Sequence, residues 1–132
     1  MKKKAVILLI ILGGLLMVFS INNQRQKTAE EERNRKYEVS LVKALKNSYR
    51  DIEKIQISSP DYSVPPGNWS CTVMLTFQDH TIVEYRIGHT LSDKTNKSAT
   101  AKREVLDILN YYDGVTTSDV RVIYSNGEEG RN

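Results

Sequence analysis

The side chains best suited to nucleophilic or acid–base chemistry are one cysteine, Cys71, and two histidines, His80 and His89. A thiol nucleophile needs a histidine beside it and a third group to orient that histidine. A zinc site needs at least about three protein ligands. Cys71 alternates with Trp69, Val73, Leu75 and Phe77, so it reads as a small core residue. His80 stands in a short reversal between two alternating runs and His89 at the end of the second; both read as solvated loop residues. Glu84 and Asp107 read as isolated carboxylates, whereas general acid–base work uses a carboxylate in a shaped pocket with a displaced pKa. There is no phosphate-binding glycine loop, no H-E-x-x-H and no G-x-S-x-G. The expectation is a protein that is not an enzyme and holds neither metal nor cofactor.

A different chemistry, contact with another protein, is suggested by "PDYSVPPGNW". Tyr62 and Trp69 bracket a loop that Pro65 and Pro66 stiffen, and aromatics on a rigid loop make good contact residues. Tyr62, Pro65, Pro66 and Trp69 are therefore the candidate partner contacts. The competing reading has Trp69 opening the core while the prolines only shape a turn.

Nucleic acid is not expected as a partner. The formal charge is +3, but without Lys2, Lys3 and Lys4 the 19 basic residues fall to the number of the 16 acidic ones. The remaining cations alternate with acids and form no stripe. One cysteine makes no intramolecular disulfide, which argues against a small stapled secreted domain.

Those three lysines precede an uncharged run, residues 5–21, "AVILLIILGGLLMVFSI". As a helix it would span roughly 26 Å, near the short end of what crosses a bilayer core of about 30 Å. Val18-Phe19-Ser20 is a poor signal-peptidase site, and no cysteine follows the run to take a lipid. The expectation is a retained anchor, with the lysines inside and the rest of the chain outside the cell membrane.

The elements that would position any site follow from periodicity. "TAEEERNRKYEVSLVKALKNSYRDI" reads as a long helix opened by a Thr28/Glu31 capping box. Tyr37, Leu41, Leu45 and Tyr49 make its apolar stripe, with Val42 and Ala44 beside them. "IEKIQIS" reads as a strand with Ile55 and Ile57 on one face. No sheet is expected to run through the proline loop after it. "WSCTVMLTF" and "TIVEYRI" alternate with period two and read as a β-hairpin over 69–87. "SATAKREVLDILNYY" is a second helix ended by Gly114, and "DVRVIY" a last strand.

The lysine leader and apolar run, the "PPGNW" entry to a strand and the closing "VRVIYSNGEE" resemble small membrane-anchored or lipoprotein-like envelope proteins of low-GC Gram-positive bacteria. The likeness implies location and a small α+β domain, and no activity or functional residue.

The expected organisation is a lysine leader and anchor over 1–21, a polar stalk or linker over 22–36, an extracytoplasmic α+β domain over 37–124 and a flexible tail over 125–132. The expected fold is a four-stranded antiparallel sheet with helices packed on one face. The expected function is a tethered binding module for another envelope protein or an incoming toxin, of the immunity, exclusion or assembly type. The alternatives are a bitopic subunit of a secretion or conjugation machine, and an envelope-acting enzyme.

Overall fold

A computed structural model describes residues 29–64, 67–97 and 101–132. The apolar run 5–21, Thr28, Pro65 and Pro66 lie outside the described residues. Among the described residues, no helix is long and apolar enough to cross a membrane. The chain divides into two compact units, Met1–Arg33 and Asn34–Asn132. Of the first, residues 29–33 are helical, with an ion pair at 3.7 Å between the half-buried Arg33 and the exposed Glu30. The second unit carries the fold.

In that unit, helix α1 (residues 34–48) is followed by β1 (Ile52–Ser63), β2 (Asn68–Phe77) and β3 (Ile82–His89). Helix α2 (Arg103–Tyr111), β4 (Arg121–Ile123) and β5 (Glu129–Arg131) complete it. The architecture is α+β, with a mixed five-stranded sheet in the order β3-β2-β1-β4-β5.

The alternation read from 69–77 is realised residue by residue. Trp69, Cys71, Val73, Leu75 and Phe77 are buried, and the residues between them are half-buried on the opposite face. Val83, Tyr85 and Ile87 of β3 continue the buried face beside them, paired with Leu75, Val73 and Cys71. From above come Leu41, Val42, Leu45 and Tyr49, the stripe expected of the first helix, with Leu109 and Tyr112 at the end of the second. Phe77 and Tyr112 stack at 3.7 Å between ring centroids. At about 1.5–3 kcal/mol for each large side chain taken from water, this cluster is the main favourable term in folding.

Three expectations about the sheet are corrected. First, β4 pairs parallel to β1, Lys54 with Arg121 and Gln56 with Ile123, so the sheet is mixed. The chain leaves β3 at one edge, passes through α2 and returns beyond β1, a crossover that brings it back pointing the same way. Second, the segment 125–132, read as a tail, supplies β5, antiparallel to β4. Val120 and Asn132 exchange two backbone hydrogen bonds at 2.7 and 3.0 Å, and Lys46 Nζ donates to the Asn132 carbonyl at 2.7 Å. Gly130 suits this strand because a Cβ there would sit 3.1 Å from the Tyr124 ring.

Third, β1 runs through Pro60 to Ser63. The register slips between Ser58↔Thr72 and Asp61↔Ser70, so Ser59 and Pro60 together oppose one partner residue. This is a bulge, with Ser59 at φ +50°, and a bulge is where a strand accommodates a residue lacking an N–H.

The first helix also ends earlier than its sequence suggests, at Ser48. The last carbonyls of a helix need outside donors. Here Thr116 N–H donates to Lys46 O at 2.7 Å and Gly114 N–H to Ser48 O at 3.1 Å. The segment after α2 thus closes α1 and frees Ile52 to begin a strand.

Candidate functional site

Of the proposed contact residues, Tyr62 and Trp69 can be located. Trp69 is 2% exposed and stacks on Tyr37 at 5.1 Å, and its indole N–H donates to Asn34 Oδ1 at 3.1 Å. It belongs to the core and offers no surface. Tyr62 is half-buried, tilted against the same Tyr37 at 6.1 Å. Among the described residues of this hairpin tip, the exposed apolar side chain is Val64, which no sequence signal singled out.

Cys71 is wholly buried, and burial first, then the nearby Glu38 carboxylate, pushes its thiol up to about 12. It stays protonated and unreactive at neutral pH. His80 is exposed in the β2–β3 turn, at φ +73°. Glu84 and Asp107 are exposed and lie on different elements. Among the described residues, no three His, Cys, Asp or Glu side chains converge as metal ligands would.

His89 is the correction among the histidines. It is 4% exposed, not solvated. The signal was present: His89 continues the inward alternation of Val83, Tyr85 and Ile87 by one more step. Its Nε2 lies 2.9 Å from Ser40 Oγ on α1, and its Nδ1 lies 3.1 Å from Asn96 Nδ2. Serine, histidine and a third polar group in line resemble a hydrolytic triad, so the proton positions decide the chemistry. Asn96 Nδ2 also donates to the Gly88 carbonyl at 2.8 Å, which fixes the amide nitrogen on the histidine side. His89 Nδ1 must therefore accept, and Nε2 carries the hydrogen and donates to Ser40. A nucleophilic serine needs the reverse, an imidazole that accepts the hydroxyl proton. Burial also lowers the His89 pKa, partly opposed by Asp93, which keeps the ring neutral. The arrangement locks the loop after β3 onto α1 and leaves the Ser40 hydroxyl as an acceptor toward His89.

Glu38 was missed as well, although it stands three and four residues before Leu41 and Val42, on the buried side. It is 2% exposed. Its carboxylate accepts from Ser125 N–H at 2.6 Å and from Ser125 Oγ–H at 2.9 Å. Burial raises its pKa, against the lowering effects of Ser125 and Arg35. Arg35 beside it lies 3.9 Å over the Tyr124 ring and pairs with Glu128 at 2.7 Å. These contacts pin the β4–β5 turn to α1.

Two surfaces remain open. One side of the sheet carries Lys54, Gln56, Thr72, Met74, Thr76, Glu84 and Arg86, exposed or half-buried. The other is the outer edge of β3, which among the described residues pairs with a strand only on its β2 side. A groove of about 460 Å³ lies at that edge, lined by the consecutive residues 84–88, by Ser70 of β2 and by Ala101, Lys102 and Val105 near the start of α2. An edge strand presents unpaired backbone donors and acceptors, a template for another strand.

Comparison of the chain with protein-family models, with curated proteins and with solved structures finds no match.

Proposed function

We propose that the chain is a membrane-tethered, extracytoplasmic and non-enzymatic binding module that contacts another envelope protein or an incoming toxin. The single observation that carries the reading is the eight-residue edge strand β3 with its groove. An extended segment of the partner would add to β3 as a sixth strand, with backbone hydrogen bonds supplying affinity and the groove supplying side-chain pockets. The triad-like Ser40–His89–Asn96 chain supports the non-enzymatic part, because its tautomer is wrong for a nucleophilic serine. The tether rests on the uncharged run 5–21 behind Lys2, Lys3 and Lys4.

Photo-crosslinking residues placed singly in the full chain test the binding mode in intact cells. Positions 84 and 86, beside the edge, should capture one protein, and positions 54 and 121, in the middle of the open face, should not. Equal capture from all four positions, or none from any, defeats the edge-strand reading. Protease added to intact protoplasts should remove the domain and leave a membrane-bound fragment beginning at or near Met1. A soluble form starting near Ile21 would sink the anchor, and complete protection would sink the orientation. Replacing residues 5–21 with an unrelated apolar segment should leave capture intact; its loss would favour a bitopic machine subunit.

A further inference from the structure

A second cavity, of about 360 Å³, lies against the face of α1 that carries Lys36, Val39, Ser40, Lys43 and Asn47. Leu91, Asp93 and Lys94, from the loop after β3, close its other side. Lys36 and Lys43 stand four residues before and three after Ser40, so all three project from one side of the helix. Lys94 is carried over to them by the loop. Asn47 Nδ2 donates to the Lys94 carbonyl at 3.0 Å, and Asn96 N–H donates to Ser48 Oγ at 2.8 Å.

Lys36, Lys43 and Lys94 form no salt bridge among the described residues, and all three line this one cavity. The acidic residue in the lining is Asp93, whose carboxylate accepts from its own loop at Thr90 N–H, 3.4 Å away. Behind the lining residue Ser40, His89 Nε2–H occupies a lone pair of Ser40 Oγ, and the chain through Asn96 to the Gly88 carbonyl fixes that direction. The Ser40 hydroxyl hydrogen is left without an acceptor among the described residues, on a residue that lines the same cavity as the lysines.

We infer that this cavity binds a phosphate group, held by the ammoniums of Lys36, Lys43 and Lys94 and by the Ser40 hydroxyl. Cationic donors round a hydroxyl match the several acceptor oxygens and the negative charge of a phosphate ester. Val39 and Leu91, the latter well exposed, give an apolar wall for the carbon portion of such an ester. The site is separate from the β3 edge and stands or falls without it.

The test uses the full chain held by its apolar run in phosphatidylcholine nanodiscs with or without phosphatidylglycerol, and glycerol phosphate as the soluble probe. Glycerol phosphate should give saturable NMR shifts at the Ser40, Lys94 and His89 amides. Lys43→Ala and Lys94→Ala, both exposed and harmless to folding, should each weaken binding about fivefold, close to 1 kcal/mol. Ser40→Ala should weaken it too, and Lys54→Ala should not. The same amide shifts on adding phosphatidylglycerol to the nanodiscs without glycerol phosphate, with the same sensitivity to Lys43 and Lys94, support the site and identify a lipid headgroup as its source. Binding unaffected by the lysine substitutions, or no saturable response to either probe, overturns the proposal.

Discussion

Replacing Tyr85 with phenylalanine should make the protein more stable. Tyr85 is 6% exposed in the middle of β3, facing Val73. Its hydroxyl oxygen is buried and has no hydrogen-bond partner among the described residues. Burial, with Tyr49 and Cys71 nearby, holds its pKa well above the ordinary tyrosine value. In the unfolded chain that hydroxyl is solvated, so folding strips it of water without compensation, at about 1–3 kcal/mol. Phenylalanine removes the polar atom and keeps the ring. The void left by one oxygen, roughly 15 Å³ at about 24 cal/mol per Å³, costs about 0.4 kcal/mol. The net gain is about 1–2 kcal/mol, a rise in Tm of about 4 °C or more for a unit of this size. Urea unfolding with an unchanged m-value is the direct measurement. A Tyr85→Phe variant destabilised by more than about 0.5 kcal/mol would mean that the hydroxyl has a partner in the folded protein, and the reasoning fails.

Val73→Asp places a carboxylate at the wholly buried centre of β2 and should abolish cooperative unfolding, read by near-UV circular dichroism; wild-type melting would mean the wrong face is assigned to the core. His89 has a lowered pKa, so below about pH 6.5 the unfolded chain takes up a proton that the folded ring refuses, and stability falls by up to about 1.4 kcal/mol per pH unit. His89→Gln should flatten that limb, and an unchanged slope would remove His89 as its origin. Glu38 has the opposite sign: its folded pKa is raised above 4.5, so between that raised value and 4.5 the folded state holds a proton the unfolded state lacks, and stability rises as pH falls through the window. Glu38→Gln can still bond both Ser125 groups, and it should remove this rise in denaturation curves taken across the window; a persisting rise would assign it to another group.

Local periodicity carried much of the fold. The inward set of β2 and β3, the stripe from Leu41 to Tyr49 and a second helix carrying Leu109 inward follow from spacing, because a buried face imposes its period on the residues that line it, although that helix is Arg103–Tyr111, shorter than the expected run to Tyr112. Burial of Cys71 and exposure of His80 follow in the same way. Strand partners and directions were not legible. Whether β4 pairs parallel to β1 depends on where α2 returns the chain, and that is settled by non-local packing on the shared core. β5 carries little apolar signal, since Glu129, Gly130 and Arg131 are held by backbone pairing with β4. Pro60 argued against a strand until a bulge, visible only in the pairing register, accommodated it. Burial of His89 was encoded in alternation, but its chemistry was not. Ser40 lies 49 residues away in the chain, and the direction of the proton between them depends on the Asn96 amide and the Gly88 carbonyl. Those groups meet only when the loop after β3 folds onto α1.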